Sequence, residues 1–66
     1  MKIYINGQPQ ELNTSLSVKE LLVQFGLENK RIAVEINGEI ITRSQFAYRL
    51  VVDNDKVEII IAVGGG

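Results

Sequence analysis

The chain is expected to form one α+β domain, a mixed sheet wrapped around one main helix. Three observations predict it. Two runs of alternating apolar residues each turn back at an Asn-Gly pair, Asn6-Gly7 and Asn37-Gly38. A capped amphipathic helix lies between them, and an apolar run from Lys56 to Ile61 comes late in the chain. Alternation with period two is the mark of a half-buried strand, and Asn-Gly suits the type I′ turn, whose central residues both need φ > 0. With 66 residues and no cysteine, the chain is near the smallest size at which a core holds without disulfide or metal, and its 45% hydrophobic content compensates.

Met1, Ile3 and Ile5 alternate with Lys2, Tyr4 and Asn6, which predicts a first strand, and a second should return from Gln8 to Leu12. Pro9 has no backbone N–H to donate, so the second strand belongs at an edge of the sheet. The helix should begin at Val18, because Ser17 and Glu20 have the spacing of a capping box and Leu16 and Leu21 that of a hydrophobic staple. Val18, Leu21, Leu22 and Phe25 recur as one apolar stripe that must cover a sheet, and Gly26 can end the helix in the left-handed conformation.

Ile32, Val34 and Ile36 alternate with Ala33 and Glu35, and Asn37-Gly38 then turns the chain into Glu39-Ile40-Ile41. Both Asn-Gly pairs are assigned wholly to turn geometry. The pattern loosens from Thr42 to Val52. There Ser44 is expected to cap a short helical turn through Phe46, with Phe46 and Leu50 closing one end of the core. Asp53-Asn54-Asp55 is turn-forming, since these side chains bond to nearby backbone and tolerate φ > 0. The final strand is expected from Lys56 to about Ala62. One arrangement of these elements buries every apolar face, with the first and last strands central, parallel and adjacent. It is the β-grasp (ubiquitin-like) arrangement, expected over residues 1–62 as a single domain, with 63–66 as a flexible glycine tail.

Several function classes are excluded by composition. Neither Cys nor His is present, so zinc, iron-sulfur and thiol mechanisms lack their donors and no Ser-His or Cys-His pair can form. The carboxylates and lysines are scattered singly, so no catalytic residue and no metal ligand is named. Seven basic against eight acidic residues, with a pI near 5.2, leave no electrostatic footprint for nucleic acid. No apolar run approaches the roughly 20 residues that span a bilayer, and the start lacks a secretory signal. A cytoplasmic protein without membrane contact, monomeric when free, is the expectation.

Ala62-Val63-Gly64-Gly65-Gly66 follows the last strand directly. Glycine has no Cβ, so three in succession make a thin thread able to pass a channel closed to bulkier residues. The working group is then expected to be the α-carboxylate of Gly66, with Gly64 and Gly65 recognised for their slimness.

Val34-Glu35-Ile36-Asn37-Gly38-Glu39-Ile40-Ile41, Arg43-Ser44-Gln45-Phe46, Asp55-Lys56-Val57-Glu58-Ile59 and the closing glycines together resemble the sulfur carriers of thiamine biosynthesis. The resemblance covers essentially the whole chain, with two departures: Asn54 stands where the family commonly has Gly, and Thr42 where Pro is frequent. It implies that a ubiquitin-activating-like enzyme uses ATP to adenylate Gly66. Sulfur from a donor enzyme then replaces AMP, and the thiocarboxylate serves thiazole synthase. The carrier itself would be no enzyme and would bind no cofactor, ATP belonging to its activator. Relatives of the same fold serve as the small subunit of molybdopterin synthase, as protein modifiers or as plain interaction modules, and fold alone does not choose among these.

Ordering three glycines in a channel costs about 3–6 kcal/mol, so the folded body must contribute docking energy. If Ile3, Ile5, Ile32, Val34, Ile36, Val57, Ile59 and Ile61 face the helix, then Tyr4, Ala33, Glu35, Glu58, Ile60 and Ala62 share the opposite face. That face is expected to bind partners through an apolar patch of Ile60, Tyr4 and Ala33, oriented by Glu35, Glu58 and Arg31. Arg43 and Arg49 are read as solvated.

Overall fold

The first hairpin pairs β1 (Lys2–Ile5) with β2 (Gln8–Glu11) through Asn6 and Gly7, both at positive φ, as the type I′ turn requires. The computed structural model describes residues 1–62. Residues 63–66, which carry the flexible-tail expectation and the roles given to Gly64, Gly65 and Gly66, lie outside the described residues. Pro9 sits in β2, and β2 is indeed an edge strand, where a missing N–H goes unnoticed by the ladder.

The helix α1 (Val18–Gln24) starts where its signals place it. Ser17 Oγ accepts from the Glu20 N–H at 3.0 Å, and Glu20 Oε1 accepts from the Ser17 N–H at 2.8 Å, so two otherwise orphaned donors are satisfied reciprocally. Its end is a Schellman motif. Leu27 N–H donates to the Leu22 carbonyl at 2.8 Å and Gly26 N–H to that of Val23 at 3.0 Å, with Gly26 at φ +71°. Phe25 consequently falls on the C-cap, not in the last helical turn, and is 38% exposed. The apolar stripe ends at Leu22, and Leu27 packs against the core in its place.

The second hairpin joins β4 (Ile32–Ile36) to β5 (Glu39–Ile41) through Asn37 and Gly38. The last strand, β7 (Lys56–Ile61), lies at the centre of the five-stranded sheet, whose order is β2-β1-β7-β4-β5. It runs parallel to β1 and antiparallel to β4. First and last strands are therefore adjacent, and the sheet with its one covering helix is a β-grasp fold.

Ile3, Val34, Ile36, Val57 and Ile59 of the sheet meet Val18, Leu21 and Leu22 of α1, and Leu12, Ile41, Phe46 and Val51 close the core. Full burial of such a side chain stabilises by roughly 1.5–3 kcal/mol. Ile5 and Ile32 are half-buried against this core. Ile61 was expected among them, but it is 43% exposed, at the last pair of the β4–β7 ladder, opposite Ile32.

Between β5 and β7 the structure departs from expectation twice. The turn at Arg43–Gln45 is a 3₁₀ helix capped by Thr42 rather than Ser44, with Gln45 Oε1 accepting from the Thr42 N–H at 2.8 Å. Leu50 is 53% exposed, and Val51 closes the core instead. The reason is a two-residue ribbon, β3 (Leu16–Ser17) against β6 (Leu50–Val51), in which Val51 pairs with half-buried Leu16 and its neighbour Leu50 alternates outward.

Candidate functional site

The end of β7 is where the body hands over to the glycines, and its two edges are held differently. On the β4 side, the Ala62 N–H donates to the Arg31 carbonyl at 2.8 Å, so the ladder continues one residue beyond Ile61. On the β1 side, Tyr4 N–H bonds to the Asp55 carbonyl and Asn6 N–H to that of Val57, both at 2.9 Å, and there β1 runs out. The Asn6 carboxamide continues it. Its Oδ1 accepts from the Ile59 N–H at 2.8 Å and its Nδ2 donates to the Ile59 carbonyl at 3.1 Å, a side chain standing in for the next residue of a strand.

Asn37 does the corresponding work at the other end of β7. Its Oδ1 accepts from the Lys56 N–H and its Nδ2 donates to Asp55 Oδ1, both at 2.9 Å. Asp55 is 7% exposed, and its other carboxylate oxygen accepts from the Val52 N–H at 2.9 Å. Reading both asparagines as turn formers alone was thus incomplete. The missed signal is that each Asn-Gly turn abuts the central strand, where a short carboxamide can mimic backbone.

The outer face of the sheet carries Tyr4, Ala33, Glu35, Glu58 and Ile60, as alternation requires, but not as one patch. Ala33 stands directly opposite Ile60, which is 59% exposed, and Glu35 opposite Glu58. Tyr4 is level with Lys56, four residues down β7 from Ile60 and so about 13 Å away. Tyr4 therefore does not join the Ile60 cluster, because the parallel β1 meets β7 only at its start. Its place is taken by Ile40, 71% exposed and paired with Glu35, which lies diagonal to Ala33 on the same face. Hairpin register gives this directly: a two-residue turn at Asn37-Gly38 sets Ile36 against Glu39 and hence Glu35 against Ile40.

At the root of the tail Ala33 and Ile60 line a groove of about 280 Å³ together with Arg31, Ile32, Arg43 and Ala62. Three residues expected on the partner face, Ala33, Ile60 and Ala62, are thus brought together with Arg31, and Arg43 joins them from the 3₁₀ turn. Ile32 and Arg43 also line a neighbouring groove of about 230 Å³, whose far wall includes Lys19, Leu22, Glu28 and Phe46. The Arg43 guanidinium lies 5.9 Å from the Phe46 ring centre, within cation–π range. Among the described residues no group of three or more His, Cys, Asp or Glu side chains could hold a metal ion, and no helix is long and apolar enough to cross a membrane.

Known proteins resemble this chain over its length. The model of the ThiS family matches residues 3–66. A crystal structure of the thiamine biosynthesis protein ThiS from Geobacter metallireducens superposes with a TM-score of 0.85 at 36% identity, covering all of both chains. The sulfur carrier protein ThiS of Escherichia coli is 32% identical over 66 residues, again covering all of both chains. A thiazole synthase of Paramagnetospirillum magneticum is 41% identical over 66 residues, and there the chain spans only 20% of the relative's length. The chain belongs to the ThiS family, the small sulfur carriers of thiamine biosynthesis.

Proposed function

We propose that the carboxylate of Gly66 is the sulfur-carrying group and that the folded body presents it to successive enzymes. A carboxylate is a poor electrophile. One of its oxygens attacks the α-phosphorus of ATP on a ubiquitin-activating-like enzyme, pyrophosphate leaves, and the acyl adenylate gains a good leaving group. A sulfur nucleophile at the sulfide level, supplied by a donor enzyme, then attacks the acyl carbon and AMP departs with the oxygen, leaving a thiocarboxylate. The sulfur passes to thiazole synthase. A natural thiazole synthase that contains a stretch similar to this whole chain supports that choice of client.

Membership of the carrier family, together with a sequence that runs from the central strand into three glycines, carries the reading. Gly65 and Gly64 supply reach and clearance, since any Cβ would widen the thread. In this scheme the chain is a carrier consumed and regenerated by its partners, without a catalytic group of its own. The test is intact mass after incubation with the adenylating enzyme, ATP and a sulfur donor. A gain equal to the exchange of one oxygen for sulfur at the carboxylate is expected, and its absence with active partner enzymes would reject the proposal.

A further inference from the structure

We infer that Arg31 and Arg43 at the root of the tail, with Lys19 in the adjoining groove, form a basic collar, and that it docks on an acidic rim at the mouth of the channel through which the adenylating enzyme takes the glycines. The inference rests on the carrier reading. Its first support is the sorting of charge. The chain as a whole has net charge −1, yet the groove at the root and the one beside it together hold three cations against the single carboxylate of Glu28. The ion pair among the described residues is elsewhere, between Arg49 and Glu39 at 3.3 Å. The collar cations thus have no carboxylate within salt-bridge range among the described residues.

Its second support is shape. Arg31 and Arg43 flank an apolar floor of Ile32, Ala33 and Ile60, so a partner that covers the floor also desolvates the rim, where charge pairing sets orientation and association rate. Two of the three are anchored. The Arg31 carbonyl is bonded to Ala62, which fixes its backbone to the start of the tail, and Arg43 lies over Phe46.

Distance decides what the collar meets. Four residues beyond Ala62 reach at most about 14 Å fully extended. That is several times the roughly 3 Å of a hydrogen bond. With the tail extended into its channel, the collar is too far from the reacting carboxyl to hold the phosphates of ATP there. It meets the protein surface around the channel mouth, and a basic collar is complementary to an acidic one.

The experiment measures binding of the full chain to the purified adenylating enzyme across a salt series, beside thiocarboxylate formation at saturating carrier. Arg31→Glu and Arg43→Glu should each weaken binding about tenfold, and together more, with a flattened salt dependence. Sulfur loading at saturation should be retained. Arg49→Glu, on a different part of the surface, should bind as the unaltered chain does. Unchanged affinity and salt slope in the double variant would overturn the collar. So would binding of ATP or pyrophosphate to the free chain that the double variant loses, since the grooves would then be a phosphate site. Failure of the unaltered chain to gain sulfur would instead reject the carrier reading, and the binding series would still decide whether the collar docks.

Discussion

Asn6 and Asn37 each shape a turn and, with the same side chain, hold the central strand, and substitution can separate the two roles. Asn6 adopts φ 50°, a conformation glycine reaches freely. Asn6→Gly therefore keeps the turn and removes only the two hydrogen bonds to Ile59. It should cost about 1–2 kcal/mol. Asn6→Ala loses the same bonds and adds about 1 kcal/mol of left-handed strain. Asn37→Gly should cost more than Asn6→Gly, about 2–3 kcal/mol, because it strips a donor from the buried Asp55 carboxylate. Urea unfolding of the three variants gives the ranking. If Asn6→Gly matches the unaltered protein, the carboxamide contributes nothing beyond the turn.

Elements differ in how much of their environment their own sequence contains. The helix start was legible because Leu16, Ser17, Glu20 and Leu21 form a local code whose partners lie within five residues, and Ser17→Ala should accordingly cost about 1 kcal/mol. The two hairpins were legible for the same reason. The ribbon of β3 and β6 was not, because two-residue strands have no periodicity and their pairing joins Leu16 to Val51 across most of the chain. Leu50 and Val51 are both apolar, and only that pairing decides which points inward. The contrast is testable: Val51→Ala, at a site with 0% exposure, should lower stability by about 2 kcal/mol, whereas Leu50→Ala at 53% exposure should stay within about 0.5 kcal/mol in thermal or urea unfolding. The candidate site was half legible. Alternation put Ala33 and Ile60 on one face, but only register could separate Tyr4 from them and bring in Ile40 and Arg43.

In the whole molecule, the central strand connects a packed interior to the sequence that leaves it, so body and tail should fail in different ways when altered. Ile60→Asp tests the body. Its side chain is 59% exposed on the face away from α1, so the substitution removes little burial and should cost at most about 1 kcal/mol, mostly from the poorer fit of Asp to a strand. In a complex, however, the same carboxylate would be desolvated against an apolar contact, and KM for the adenylating enzyme should rise tenfold or more with kcat nearly unchanged. Gly65→Ala tests the thread. It leaves the described body untouched, so KM should move little, while the added Cβ in the channel should lower kcat through misplacement of the reacting carboxyl. Equal kinetic signatures for the two variants would mean that docking and threading are not separate steps. A loss of stability in Ile60→Asp as large as that of Val51→Ala would mean that Ile60 faces the core after all, which its pairing with Ala33 and its exposure both oppose.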